Sequence, residues 1–158
     1  MSFWINKKLL LMPLLLCSGF VSFAQMEKDV LKPIHLLFEG MEKADTALIS
    51  KAFDPAVKMI TGYTNKDGEE VIHEGSYEKF LATIANKKKD SPNWIEKLYN
   101  TEVKIDGNIA QVWTEYSFYV GDQFVHCGVD AFQLVKRGDE WKIIHLMDTR
   151  RKEGCKQD

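Results

Sequence analysis

Apolar residues recur along the early chain at Val30, Ile34, Leu37, Met41, Ala44 and Leu48, in alternating steps of four and three. That spacing marks one face of an α-helix. Pro33 is expected near its first turn, where a missing N–H costs least. Asp45-Thr46 offers a capping break, so the stretch divides into one long helix and a short one over 47–53, closed by Asp54-Pro55. Val57 to Tyr63 reads as a strand, Asn65-Lys66-Asp67-Gly68 as a turn, and Glu70 to His73 as a short returning strand. A second helix begins at Ser76, with Tyr77, Phe80, Leu81 and Ile84 on one face and Ser91-Pro92 as its stop. Lys87, Lys88 and Lys89 fall at its negative end, as a solvated terminus or an anion contact.

From Trp94 onward the period switches to two. Long strands are separated by Asp106-Gly107-Asn108, Gly121-Asp122 and Gly138-Asp139, all hairpin turn signals. Helices segregated before an antiparallel meander predict an α+β fold. Strands this long coil strongly, so the sheet is expected to wrap around the N-terminal helices as a cone enclosing a cavity. Function is expected in that cavity.

Composition fits this picture. The 158 residues are 45% hydrophobic and 28% charged, as in a single folded domain. With 21 Lys+Arg against 23 Asp+Glu the net charge is −2, which gives no basic surface for nucleic acid. The N-terminus adds an address. Lys7 and Lys8 precede an apolar run from Leu9 to Leu16, and Ser22-Phe23-Ala24 sets small residues before a cut at Gln25. These are the parts of a secretory signal peptide over residues 1–24, leaving 25–158 as one domain. The run from Leu9 to Ala24 is interrupted by Pro13 and falls short of the ~20 residues of a spanning helix. Leu16 is not the small residue expected before a lipid-modified cysteine, which argues against lipidation at Cys17. A periplasmic or secreted protein without stable membrane insertion is expected. In such a compartment Cys127 and Cys155 either pair, contributing on the order of 3 kcal/mol, or remain one buried thiol and one tail thiol.

The order of elements and the segments Ala47–Phe53, Ala110–Tyr116, His126–Phe132 and Trp141–Arg151 resemble the nuclear-transport-factor-2-like superfamily, which includes SnoaL-like cyclases and ketosteroid isomerase. Within it the chain is most similar to small exported bacterial proteins of the lumazine-binding-like kind, over roughly residues 27–150. The resemblance implies a cone with a ligand cavity and a homodimer formed through the convex sheet face. No residue matches the isomerase motif closely enough to carry a role across, and one fold hosts many activities.

Hairpin arithmetic nominates site residues. A two-residue Gly138-Asp139 loop pairs Phe132 with His145, Leu134 with Ile143, and Asp130 with Met147, placing His126, Asp130 and His145 on the apolar face. Asp130 is then a base or ligand anchor with its pKa raised by burial, or a structural carboxylate. His145 is a catalytic partner or a satisfied core histidine. For the preceding hairpin, a two-residue Gly121-Asp122 loop puts Trp113, Glu115 and Tyr119 beside Asp130; a three-residue loop puts Ala110, Val112, Thr114, Tyr116 and Phe118 there. Candidate ligand contacts are therefore Trp113, Glu115, Tyr119, His126, Phe132 and Arg150, with Arg150 and Arg151 placed to receive an anionic group. No metal is expected, because His126, Cys127 and Asp130 cannot all converge from one strand. No cofactor fingerprint is present. The expected partner is a small molecule. The expected role is binding; the alternatives are a cyclase, isomerase or dehydratase, or a non-catalytic interaction dimer.

Overall fold

The computed structural model describes residues 22–157. The expected signal segment therefore lies outside the described residues, apart from its last three. Helix α1 (Phe23–Lys43) starts at an N-cap, Ser22, whose hydroxyl accepts from the Gln25 N–H. Its apolar face buries Val30, Ile34, Leu37 and Met41 as the spacing predicts. Pro33 is a correction: the helix begins so far upstream that the proline stands inside it, on the buried side. Asp45 caps α2 (Thr46–Ala52) by accepting from Ala47 and Leu48 N–H groups, and Ser76 caps α3 (Tyr77–Ala85). No helix among the described residues is long and apolar enough to cross a membrane.

Six strands form one curved, unclosed sheet in the order β2-β1-β6-β5-β4-β3. They are β1 (Phe53–Thr64), β2 (Glu70–Gly75), β3 (Trp94–Asp106), β4 (Ile109–Val120), β5 (Gln123–Arg137) and β6 (Glu140–Arg150). All neighbours are antiparallel except β1 and β6, which run parallel. The core lies between α1, α2 and the inner face of the sheet, where Ile34, Leu37 and Ile49 meet Val112, Phe132, Leu134 and Ile143. Each such side chain contributes about 1.5–3 kcal/mol by leaving water.

Two single-residue bulges decide which residues face the core. The β4–β5 turn closes on two residues, with Val120 opposite Gln123 and Tyr119 opposite Phe124, but the next pair is Phe118 with His126. Val125 is the extra residue, and beyond it the pairing follows the parity of the longer loop. Ala110, Val112, Thr114, Tyr116 and Phe118 therefore share the inner face with Asp130, while Trp113, Glu115 and Tyr119 turn to the outer face. In the β5–β6 hairpin, Leu134 pairs with Ile143 as expected, but Gln133 pairs with His145. Ile144 is the extra residue, so Phe132 faces Leu146, Asp130 faces Asp148, and His145 moves to the outer face between Gln133 and Lys58. The pairings of Phe132 with His145 and of Asp130 with Met147 are thus corrected by one residue, which reverses the face.

Cys127 and Cys155 form a disulfide with their Cα atoms 5.7 Å apart. It lays the C-terminal segment over the outer face of β4 and β5, where the Ser117 hydroxyl donates to the Lys156 carbonyl. This cover explains why Ser117 and Cys127 are buried on a face that elsewhere meets solvent.

Candidate functional site

The cone encloses a cavity of about 1050 Å³. That is slightly above the ~300–1,000 Å³ common for small-molecule sites. Its apolar walls come from Leu37, Phe38 and Met41 on α1, Phe80 on α3, and Met59, Phe118 and Leu146 on the sheet. Its polar lining includes Glu96, Tyr116, His126, Asp130, Asp148 and Arg150.

Strand alternation brings these groups together. Glu96 sits between Trp94 and Leu98 on the inner face of β3, Tyr116 on β4, His126 and Asp130 on β5, and Asp148 and Arg150 on β6. Asp130 is only 4% exposed. It shares a hydrogen bond with the Glu96 carboxyl, while its Oδ2 has no protein partner. Burial and then the Glu96 charge push the Asp130 pKa well above the ordinary carboxyl range. Burial, followed by the nearby Asp148 charge, lifts Glu96 from 4.5 to about 8. Glu96 keeps some surface open to the cavity, but the surrounding walls hold it away from bulk solvent. Two carboxyls this close cannot both ionise cheaply, so near neutral pH the pair retains a proton.

Asp148 is held differently. It accepts from the Thr61 hydroxyl at 2.5 Å and from Arg150 Nε at 2.8 Å, across a salt bridge. The Tyr116 hydroxyl donates to the Thr149 carbonyl at 2.9 Å and lies 3.4 Å from Asp148 Oδ2. Burial and the surrounding acids raise the Tyr116 pKa, which keeps its proton in place. Gly128 makes room for this arrangement, because a Cβ there would collide with the Thr149 carbonyl and stand 2.9 Å from the Tyr116 ring. The His126 ring is set edge-on to Tyr116 and against Phe118, with centroids 5.7 and 5.0 Å away. Burial first, then the Arg150 charge, lowers its pKa to about 4, so the imidazole is neutral at pH 7.

The sequence-nominated residues separate into three groups. Asp130, His126 and Arg150 line the cavity. Phe132 is fully buried beneath it, edge-on to Phe38 at 6.3 Å. Trp113, Glu115, Tyr119 and His145 do not line it, since each stands on the outer face. Trp113 is 46% exposed, Glu115 accepts from Asn100 Nδ2 at 3.0 Å, and Tyr119 is buried beneath Lys97. Glu96 and Asp148 are the acids that sequence reasoning missed. The signal existed for Glu96: in the period-two run Trp94, Glu96, Leu98 it is a charge at an apolar position, as Asp130 is on β5. Among the described residues no three His, Cys, Asp or Glu side chains are grouped to hold a metal ion.

Comparison with known proteins agrees with this architecture. The family model described as putative lumazine-binding matches residues 25–147. No curated protein matches. Among solved structures, a nuclear-transport-factor-2-like protein of unknown function from Shewanella baltica is 17% identical, with a TM-score of 0.64 over 85% of this chain and 100% of its own. A protein from Streptomyces avermitilis, described as a putative dehydratase of the same superfamily, is also 17% identical, with a TM-score of 0.63 over 82% of this chain and 99% of its own. A third, of unknown function from Silicibacter pomeroyi, is 14% identical, with a TM-score of 0.62 over 82% and 99% of the two chains. At these identities the likeness is one of fold.

Proposed function

The chain belongs to the putative lumazine-binding family of the nuclear-transport-factor-2-like superfamily, and from that premise we propose that it is an exported protein that binds a small, mostly apolar molecule inside its cone. One observation carries the reading: a cavity of about 1050 Å³ with apolar walls has Asp130 in its lining, and the buried Oδ2 of that residue lacks a protein partner. An orphaned buried polar atom costs about 1–3 kcal/mol, which a ligand donor or acceptor would recover. Near neutral pH the proton shared with Glu96 lets the pair donate to a ligand carbonyl or accept from a hydroxyl or N–H. Export is supported by the signal-like N-terminus and by the Cys127–Cys155 disulfide, which persists in oxidising compartments. Exposed Trp113 and Met147 on the outer sheet face support a homodimer, which sedimentation would test.

The test is native mass spectrometry of the protein purified from its own host's envelope, with Asp130→Asn alongside. A retained small molecule that is lost or weakened in the variant supports the reading. An empty wild-type cavity that no apolar probe occupies refutes it.

The raised carboxyl pKa values favour a second reading, an isomerase-, cyclase- or dehydratase-type acid–base enzyme. In that case one carboxyl of the pair removes a proton from carbon beside a carbonyl while the protonated partner hydrogen-bonds the developing oxyanion. His145, on the outer face, takes no part. Incubating the retained molecule with protein in D2O tests this: deuterium at one carbon supports turnover, and none at that position excludes this proton transfer.

A further inference from the structure

Charge is distributed unevenly around the cavity. The acids Glu96, Asp130 and Asp148 belong to its buried lining, whereas Lys79 of α3 and Arg151 and Lys152, following β6, line it from exposed positions. These three cations are uncompensated. Among the described residues the ion pairs engage Lys43, Arg137, Lys142 and Arg150, and the cations lying over aromatic rings are Lys87, Lys97 and Lys156. The acid beside Lys79 in sequence, Glu78, is held by the Ser76 hydroxyl instead.

The cations of the last segment do not sit on a free tail. Arg151 and Cys127 exchange two backbone hydrogen bonds of 2.9 Å, and Cys155 returns to Cys127 through the disulfide, closing the short loop that carries Lys152. The field of Lys152 also reaches the lining. His126 is held neutral by burial and next by the charge of Arg150; Asp148 opposes this, and Lys152 adds a smaller push in the same direction as Arg150. The same lining contains Phe80, Phe118 and Leu146. A positive rim over an apolar chamber fits a molecule that supplies its own negative charge at the entrance and hydrocarbon or aromatic surface within.

We propose that the ligand is an anionic amphiphile whose carboxylate, sulfonate or phosphate rests on Lys79, Arg151 and Lys152 while its apolar body fills the chamber. This rests on the cavity being a ligand site, so the experiment must separate the two failures. A matched pair of dyes does so: 8-anilinonaphthalene-1-sulfonate and N-phenyl-1-naphthylamine share an aromatic body and differ in the sulfonate. Fluorescence titration at low salt is expected to show both binding at one site, the sulfonate about tenfold tighter. That advantage should vanish in the Lys79→Gln/Arg151→Gln/Lys152→Gln variant and shrink at high salt, while the neutral dye binds equally well throughout and reports an intact chamber. Equal affinities in the wild type, a tighter neutral dye, or an advantage that survives the triple substitution would overturn the anionic rim and leave the cavity reading standing. If neither dye binds at one site, the cavity reading falls and the proposal with it.

Discussion

Asp130→Asn should change how stability depends on pH, and in a direction opposite to the usual loss of a buried polar group. In the wild type, an acid whose folded midpoint lies above its unfolded one keeps its proton while the unfolded chain releases it. Stability therefore falls as pH rises from about 4 toward the folded midpoint, and then levels off. For Glu96 the midpoint moves from 4.5 to about 8. At 1.4 kcal/mol per pH unit this sets a ceiling on the order of 5 kcal/mol. Water in the cavity and local relaxation reduce it, so a loss of roughly 2–3 kcal/mol between pH 5 and 8 is expected. Asparagine removes the titration of Asp130 itself, whose folded midpoint also lies well above its unfolded one, while its amide can still donate to Glu96, which burial and Asp148 continue to hold up. The variant should lose less stability across the interval and end about 2 kcal/mol above the wild type at pH 8. Urea denaturation of both proteins at pH 5, 6.5 and 8, with equal m-values, measures the difference. Contributions from His126 cancel in this comparison. Parallel profiles for the two proteins, or a wild type that gains stability toward pH 8 relative to the variant, would refute the shared-proton pair.

Three further outcomes are expected. His126 should titrate near pH 4 by NMR; because the unfolded chain takes up its proton near 6.5, this residue makes stability fall as pH drops from 6.5 to 4, and a midpoint near 6.5 would place it in solvent. Reducing the Cys127–Cys155 disulfide, which spans a sequence separation of 28, should lower unfolding free energy by about 3 kcal/mol in urea, and an unchanged midpoint would show that the tail contributes no constraint. Gly128→Ala should destabilise by about 3 kcal/mol or more and displace the Tyr116 hydroxyl from the Thr149 carbonyl, seen as a lower melting temperature and a shifted tyrosine signal; wild-type stability would contradict the packing described at this position.

Much of the fold is written locally. The four-and-three spacing from Val30 to Met41, the caps Asp45 and Ser76, and the turns at Gly121-Asp122 and Gly138-Asp139 all depend on neighbours within a few residues, and the elements follow them, although α1 starts well upstream of Pro33 and β1 starts at Phe53 rather than Val57. Asp130 was legible as an acid at an apolar position, and its burial follows. The tertiary structure decided the face of every candidate beyond a bulge. Inserting Val125 or Ile144 costs little and leaves no periodic trace, yet it turns His145 and Trp113 outward and sets Tyr116 and Asp148 inward. It also decided the partners. Glu96 and Asp130 are far apart in sequence and meet only because the sheet coils. Their shared proton arises from that proximity and from the exclusion of bulk water, neither of which a single strand contains.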